Sequence, residues 1–240
     1  VRGWVERGRA FESLRQMEAA LANYEQALRL EPRNETALAR RALVLQRSGR
    51  PLQAISAYGT LIAAYPETVF AFNNRALLLI EQGRQAEALA DLDRALVLAP
   101  RAGNGLRNRA RLLLSLGRNA EALRDLDLAG PGPDASGWNA LRADALLASG
   151  RAEAARTAYE AALRADPKDV ALRFGLALAE EMLGERLAAL AAYGAVLALD
   201  PSHEGAIARR EVLLPALGRS IEAWPMRLAA FVHAAKIHFG

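Results

Sequence analysis

Residues 20–32 read Ala-Leu-Ala-Asn-Tyr-Glu-Gln-Ala-Leu-Arg-Leu-Glu-Pro. Residues 54–66 read Ala-Ile-Ser-Ala-Tyr-Gly-Thr-Leu-Ile-Ala-Ala-Tyr-Pro, and residues 88–100 repeat the pattern again. A small residue, a large one four later and a small one three later stack on one face of a helix. The first column holds Ala20, Ala54, Ala88, Ala122, Ala155, Ala189 and Ala223. The second holds Tyr24, Tyr58, Leu92, Leu126, Tyr159, Tyr193 and Arg227, and the third Ala27, Leu61, Ala95, Ala129, Ala162, Val196 and Ala230. Small residues flanking a ring let a neighbouring helix approach closely and lock around it.

Working outward, Gly49, Gly83, Gly117, Gly150, Gly184 and Gly218 recur every 33 or 34 residues. Pro32, Pro66 and Pro100 keep the same step, and Pro167 and Pro201 resume it. A fixed period in the range of roughly 20–50 residues means stacked supersecondary units. The segment before each glycine has its own stripe: Trp4, Gly8 and Phe11, then Leu38, Ala42 and Leu45, then Phe72, Ala76 and Leu79. Each copy is therefore two helices, with glycine in the connecting turn, where φ > 0 is cheap. Proline closes the second helix, because it has no N–H to continue the ladder. Asn34, Asp134 and Asp169 stand where an N-cap would start the next pair.

The first copy, Trp4-x-x-Arg7-Gly8-x-x-Phe11 followed by Ala20-x-x-x-Tyr24-x-x-Ala27 and Pro32, resembles the tetratricopeptide repeat. The resemblance runs over nearly the whole chain, with copies at about 1–34, 35–68, 69–102, 103–134, 135–169, 170–203 and 204–240. It implies an all-α, right-handed α-solenoid, a superhelix of antiparallel helix pairs. One column departs from the family, which usually has leucine before the small residue of the first helix. Here it reads Arg7, Arg41, Arg75, Arg109, Arg142, Leu176 and Arg210. Two roles are open to these arginines. They form a structural ladder, stems on the core and heads paired to acids such as Asp91, Asp93, Asp125 and Asp127, or they hold an acidic ligand.

Three places break the pattern. Copy four ends early in Ala129-Gly130-Pro131-Gly132-Pro133-Asp134, which reads as a surface irregularity or as a bend, with Trp138 placed to plug the junction. Copy seven is degenerate, with Pro215, Pro225 and Arg227, and reads as a cap. Copy six, with Leu176 and Glu180-Glu181, is acidic and reads as a solvated face.

Composition narrows the function. The chain has no cysteine, which excludes disulfides, zinc–thiolate sites and cysteine nucleophiles. Net charge is +4, spread over the copies without a basic stripe, so nucleic acid is not the expected partner. Only Lys168 and Lys236 among 31 basic residues are lysine, and the enrichment in arginine and alanine points to a GC-rich bacterial genome. No apolar run reaches the roughly 18 residues of a membrane helix, so membrane insertion is not expected. No signal peptide is visible from Val1, and the expected compartment is the cytoplasm, with the periplasm as the alternative for a processed chain.

No catalytic constellation is legible, and no cofactor or metal is expected. His203, His233 and His238 lie apart from any ligand spacing, and the phosphate-loop and nucleophile-elbow motifs are missing. The resemblance instead implies a scaffold whose first helices line a concave groove for a peptide or protein partner. In copy three the groove columns supply Phe70, Asn73, Asn74 and Leu77, and in copy four Asn104, Arg107, Asn108 and Arg111. The same columns hold Val5, Arg9, Ala39, Leu43, Ala140, Asp144, Phe174 and Leu178 elsewhere. Asparagine offers donor and acceptor to a peptide backbone, and arginine adds a preference for acidic groups. Stacked Asn74 and Asn108 resemble the asparagine track of O-linked N-acetylglucosamine transferase repeats, whereas the lysines of a carboxylate clamp are missing. Two alternatives stay open. The chain could be the recruiting arm of a larger enzyme such as a glycosyltransferase or sulfotransferase. It could also be a self-assembling, homo-oligomeric module, using the apolar C-terminal stripe Phe231, Ile237 and Phe239.

Overall fold

The computed structural model describes residues 1–131 and 135–221, with side chains to 214. Among them lie thirteen helices and no strand. They are α1 (Arg2–Ser13), α2 (Met17–Leu30), α3 (Glu35–Arg47), α4 (Pro51–Ala64), α5 (Val69–Glu81), α6 (Gln85–Leu98), α7 (Gly103–Ser115) and α8 (Asn119–Ala129) in the first half. The second half holds α9 (Ala135–Ala148), α10 (Ala152–Leu163), α11 (Val170–Met182), α12 (Arg186–Leu199) and α13 (Glu204–Ile221). The chain divides at the Gly130–Pro131 break into two compact units, Val1–Gly130 and Pro131–Gly240. Each is a stack of helix pairs, every helix packed on its successor in the unit, as an α-solenoid requires.

The pair turns follow from local chemistry. Gly49, Gly83, Gly117, Gly150 and Gly184 have φ between +67° and +77°. The residue after each glycine donates its N–H to a carbonyl five back, as Arg84 does to Leu79 at 2.8 Å. In the first copy Arg15 takes this role with φ of +57°. Gly218 does not, because α13 runs on through it. A glycine permits the reversal but does not compel it. Asn34 caps α3 by accepting from Ala37 N at 3.0 Å, and Asp169 caps α11 by accepting from Leu172 N at 2.9 Å. Asp134, Pro225, Arg227, Phe231, Ile237 and Phe239 lie outside the described residues.

The core is the set of columns read from sequence. Ala20, Ala54, Ala88, Ala122, Ala155 and Ala189 are all fully buried, and so are Tyr24, Tyr58, Leu92, Leu126 and Tyr193 beside them. The tyrosine hydroxyls need partners at this depth, and the first helix of the same copy supplies them. Tyr24 donates to Glu12 at 2.6 Å, Tyr58 to Gln46 at 2.6 Å and Tyr193 to Glu181 at 2.6 Å. Tyr159 donates to Asp144 at 2.7 Å. Where the large residue is leucine, the matching first-helix position is also apolar: Ile80 against Leu92, Leu114 against Leu126.

Copy six is not the solvated acidic face its composition suggested. Glu181 accepts from Tyr193 and from Arg209 at 3.0 Å, and Glu180 lies 3.7 Å from Arg156 with only 12 % of its side chain exposed. The acids are counter-ions to arginines from neighbouring helices. Burial and a hydrogen bond to Glu185 hold the Glu180 carboxyl above its ordinary range.

Two outcomes test this packing. A Cβ on Gly175 would fall 2.4 Å from Cζ of Tyr159, whereas one on Gly194 meets nothing within 4 Å. Gly175→Ala is expected to lower stability by about 1–3 kcal/mol through overpacking. Gly194→Ala, inside α12, is expected to raise it by roughly 0.5–1 kcal/mol, both read from urea denaturation. The second outcome concerns pH. Burial pushes the Tyr58 hydroxyl up to about 12, and burial plus the carboxylate partners raise Tyr24, Tyr159 and Tyr193 as well. A raised folded-state pKa gives stability that is complete below the unfolded value, near 10, and lost as pH rises through the folded value. The thermal midpoint should therefore decline from about pH 10 towards 12, and Tyr58→Phe should flatten part of that decline.

Candidate functional site

The arginine column settles first, because it separates side chains used by the fold from those left over. Arg75 forks Asp91 through Nε and Nη2 at 2.7 and 2.6 Å. Arg109 forks Asp125 at 2.7 and 2.8 Å and reaches back with Nη1 to Asp93 of the preceding copy at 2.7 Å. Both guanidinium groups are raised further above their ordinary range by these carboxylates. Arg7 donates to Asn23 at 2.7 Å and lies 4.2 Å from the Trp4 ring centroid, and Arg142 lies 5.5 Å from that of Trp138. One column explains the differences. It reads Asn23, Ala57, Asp91, Asp125, Ala158 and Ala192, always sixteen residues after the arginine column. Opposite Ala57, Arg41 keeps a buried Nε without a hydrogen bond. The ladder is thus structural in copies one, three and four, with carboxylates in the last two.

A cavity of about 330 Å³ opens over the Arg109–Asp125 pair, walled by Leu89, Leu113 and Leu128. Arg118 forks Glu121 there through two bonds of 2.7 Å, and Arg124, largely exposed, lies 4.0 Å from the same carboxylate. The cavity presents no free acid, base or nucleophile. Among the described residues no three His, Asp or Glu side chains gather as metal ligands, and no helix is long and apolar enough to cross a membrane.

The first-helix face of unit 1 carries the sequence-predicted residues, and the fold engages them unequally. Phe70 is exposed. Asn74 is half-buried and donates Nδ2 to the Tyr58 hydroxyl at 3.1 Å, so its amide serves the seam with the preceding copy. Asn73 donates back to Val69 O at 3.1 Å, and its Oδ1 is buried against Gly105 without a hydrogen bond. That contact joins α5 to the first turn of α7. Asn104 accepts from Arg107 Nη2 at 2.6 Å. Asn108 occupies the column of Asn74, but Leu92 stands where Tyr58 stood, so there is no hydroxyl to bind and the amide makes no hydrogen bond among the described residues. Arg111, one turn along, is exposed and has no acidic partner among the described residues. Val5, expected to line the groove, is buried at 5 % exposure in the core cluster that also holds Leu21, Tyr24 and Leu38.

Two residues escaped the sequence reading. Arg40 and Arg47 of α3 lie on this face at 3.5 and 3.6 Å from the buried Glu12. The signal for Arg40 was the spacing: it follows Glu12 by 28 residues, as Arg209 follows Glu181.

Models of the tetratricopeptide repeat match residues 1–34, 39–103, 73–136 and 141–204. No curated protein matches the sequence. Among solved structures, a tetratricopeptide repeat protein from Parabacteroides merdae is 21 % identical with a TM-score of 0.68, over 82 % of this chain and 78 % of that one. YrrB, described as a TPR protein with an unusual peptide-binding site, is 15 % identical with a TM-score of 0.72, over 78 % and 97 %. PilF of Pseudomonas aeruginosa is 20 % identical with a TM-score of 0.66, over 84 % and 92 %. With family models covering most of its length and columns that pack as they do, the chain belongs to the tetratricopeptide repeat family.

Proposed function

We propose that this protein is a non-catalytic interaction scaffold that holds an extended, acidic protein segment along the first-helix face of unit 1. Tetratricopeptide repeat proteins are in general protein-interaction scaffolds. The observation that carries the reading is the state of α7. Among the described residues, Asn108 and Arg111 are the polar side chains of the predicted strip that make no hydrogen bond or ion pair within the fold. A peptide bond satisfies the amide in both directions, and a carboxylate satisfies the guanidinium. Preformed helices place the ordering cost mainly on the ligand.

Charge on the face supports an acidic partner. Apart from the ladder arginines, the first helices of unit 1 carry Arg2, Arg9, Arg40, Arg47, Arg107 and Arg111 against Glu6, Glu12, Glu35 and Glu81. Asn73 and Asn74 shape this surface: their Nδ2 groups donate within the fold, and the unbonded Oδ1 of Asn73 is buried.

Affinity capture from the source organism, comparing wild type with Asn108→Ala plus Arg111→Ala, tests the reading. Both positions are surface columns, so the variant keeps its helicity while partner recovery drops about tenfold or more, as loss of one charge-assisted contact implies. Equal recovery by the two proteins would sink the assignment.

A further inference from the structure

We propose that Arg40 and Arg47 form a second anchoring point on the same face, a two-arginine fork that takes a carboxylate of an acidic peptide, with Glu12 as its built-in counter-ion. This rests on the reading of unit 1 as a peptide-binding face, and it adds a site that the free groups of α7 do not provide.

Glu12 is buried at 6 % exposure, and one of its oxygens accepts from Tyr24 at 2.6 Å. Arg40 approaches that oxygen at 3.5 Å, and Arg47 approaches the other at 3.6 Å. Only Nη1 of each arginine is directed at the acid. The remaining guanidinium nitrogens have no partner among the described residues, while the two side chains stay 36 % and 55 % exposed. The Oε1 atom of Glu12 makes no hydrogen bond at all. Two cations thus share one acid at loose distances, leaving a net positive charge with outward-facing donors. Arg9, the next cation on α1, is drawn off to Glu6 at 3.4 Å.

The other seams of this type show that the surplus is local. Gln46, Tyr58 and Asn74 form the same arrangement with no charge. Glu181, Tyr193 and Arg209 form it with one cation at 3.0 Å, a tight single pair. Among these tyrosine seams, the α1–α3 seam is the one in which two guanidinium groups meet one buried carboxylate. The converse arrangement, one guanidinium shared by two carboxylates, exists at Arg109 with bonds of 2.7–2.8 Å. A second carboxylate laid over Arg40 and Arg47 would complete an alternating cluster of the same kind. Planar guanidinium groups with spare parallel N–H donors suit it.

The test is fluorescence anisotropy at low salt with a short fluorescein-labelled peptide of alternating Glu and Ser, and a Gln/Ser peptide as control. Wild type should bind the acidic probe and not the control. Arg40→Ala plus Arg47→Ala should weaken the acidic probe about tenfold or more. Glu12→Gln removes the internal competitor and should tighten the probe several-fold. It keeps the fold because Gln46 already fills this role against Tyr58 at 2.6 Å, and thermal melts check that it does. Unchanged binding by the double-arginine variant overturns the fork, as does a Glu12→Gln protein that melts normally and binds more weakly. Binding that falls with Asn108→Ala plus Arg111→Ala but not with the arginine pair overturns the fork and leaves the α7 site standing. The reverse result keeps the fork and removes the α7 site.

Discussion

Six alanines with no exposed surface set the distance at which helices meet in this protein. A methyl group at that column lets a large side chain four residues on be enclosed completely, as Tyr24, Tyr58, Leu92 and Leu126 are. Helices of this length are marginal alone, so nothing else forms unless these closures form. The choice of large residue then dictates its surroundings. A buried phenol demands an acceptor, and Glu12, Gln46, Asp144 and Glu181 provide one. A buried leucine demands none, and Ile80 and Leu114 stand in its place.

The polar chemistry therefore takes two forms. Copies with tyrosine bury a hydroxyl bonded to an acid or amide, and their Asn23 column holds asparagine or alanine. Copies with leucine put aspartate in that column and fork it with arginine, as Arg75 and Arg109 do. Such half-buried ion pairs add little net stability against an apolar alternative, and their geometry favours one register of helix on helix. The switch between forms also decides what is free. Asn74 is consumed because Tyr58 precedes it, and Asn108 is unengaged because Leu92 does. The exposed chemistry of the face is thus a by-product of the core's composition one copy earlier.

Most of the fold was legible because each column obeys the same local rule and reports several times over. Glycine turns, proline stops and the alanine column all appear where the period put them, up to Gly218. The site was less legible, since its residues act through partners 12, 16 or 28 positions away. Counting charge within copy six made Glu180 and Glu181 look solvated, because Arg156 and Arg209 lie outside that copy. The groove columns alone do not show that Tyr58, sixteen residues before Asn74, takes one of its amide hydrogens. Val5 shows the same limit, as a single turn of helix separates a lining residue from a core one.

Side-chain hydrogen bonds in this chain reach no further than 32 residues among those described. Bonds so short-ranged mean that cohesion is held between adjacent copies only. Force applied to the two ends of unit 1 would accordingly meet a series of small, similar barriers rather than one large one. Unit 1 would yield in steps and recover the same way, a mechanical compliance that folds tied by contacts between distant parts of the sequence lack.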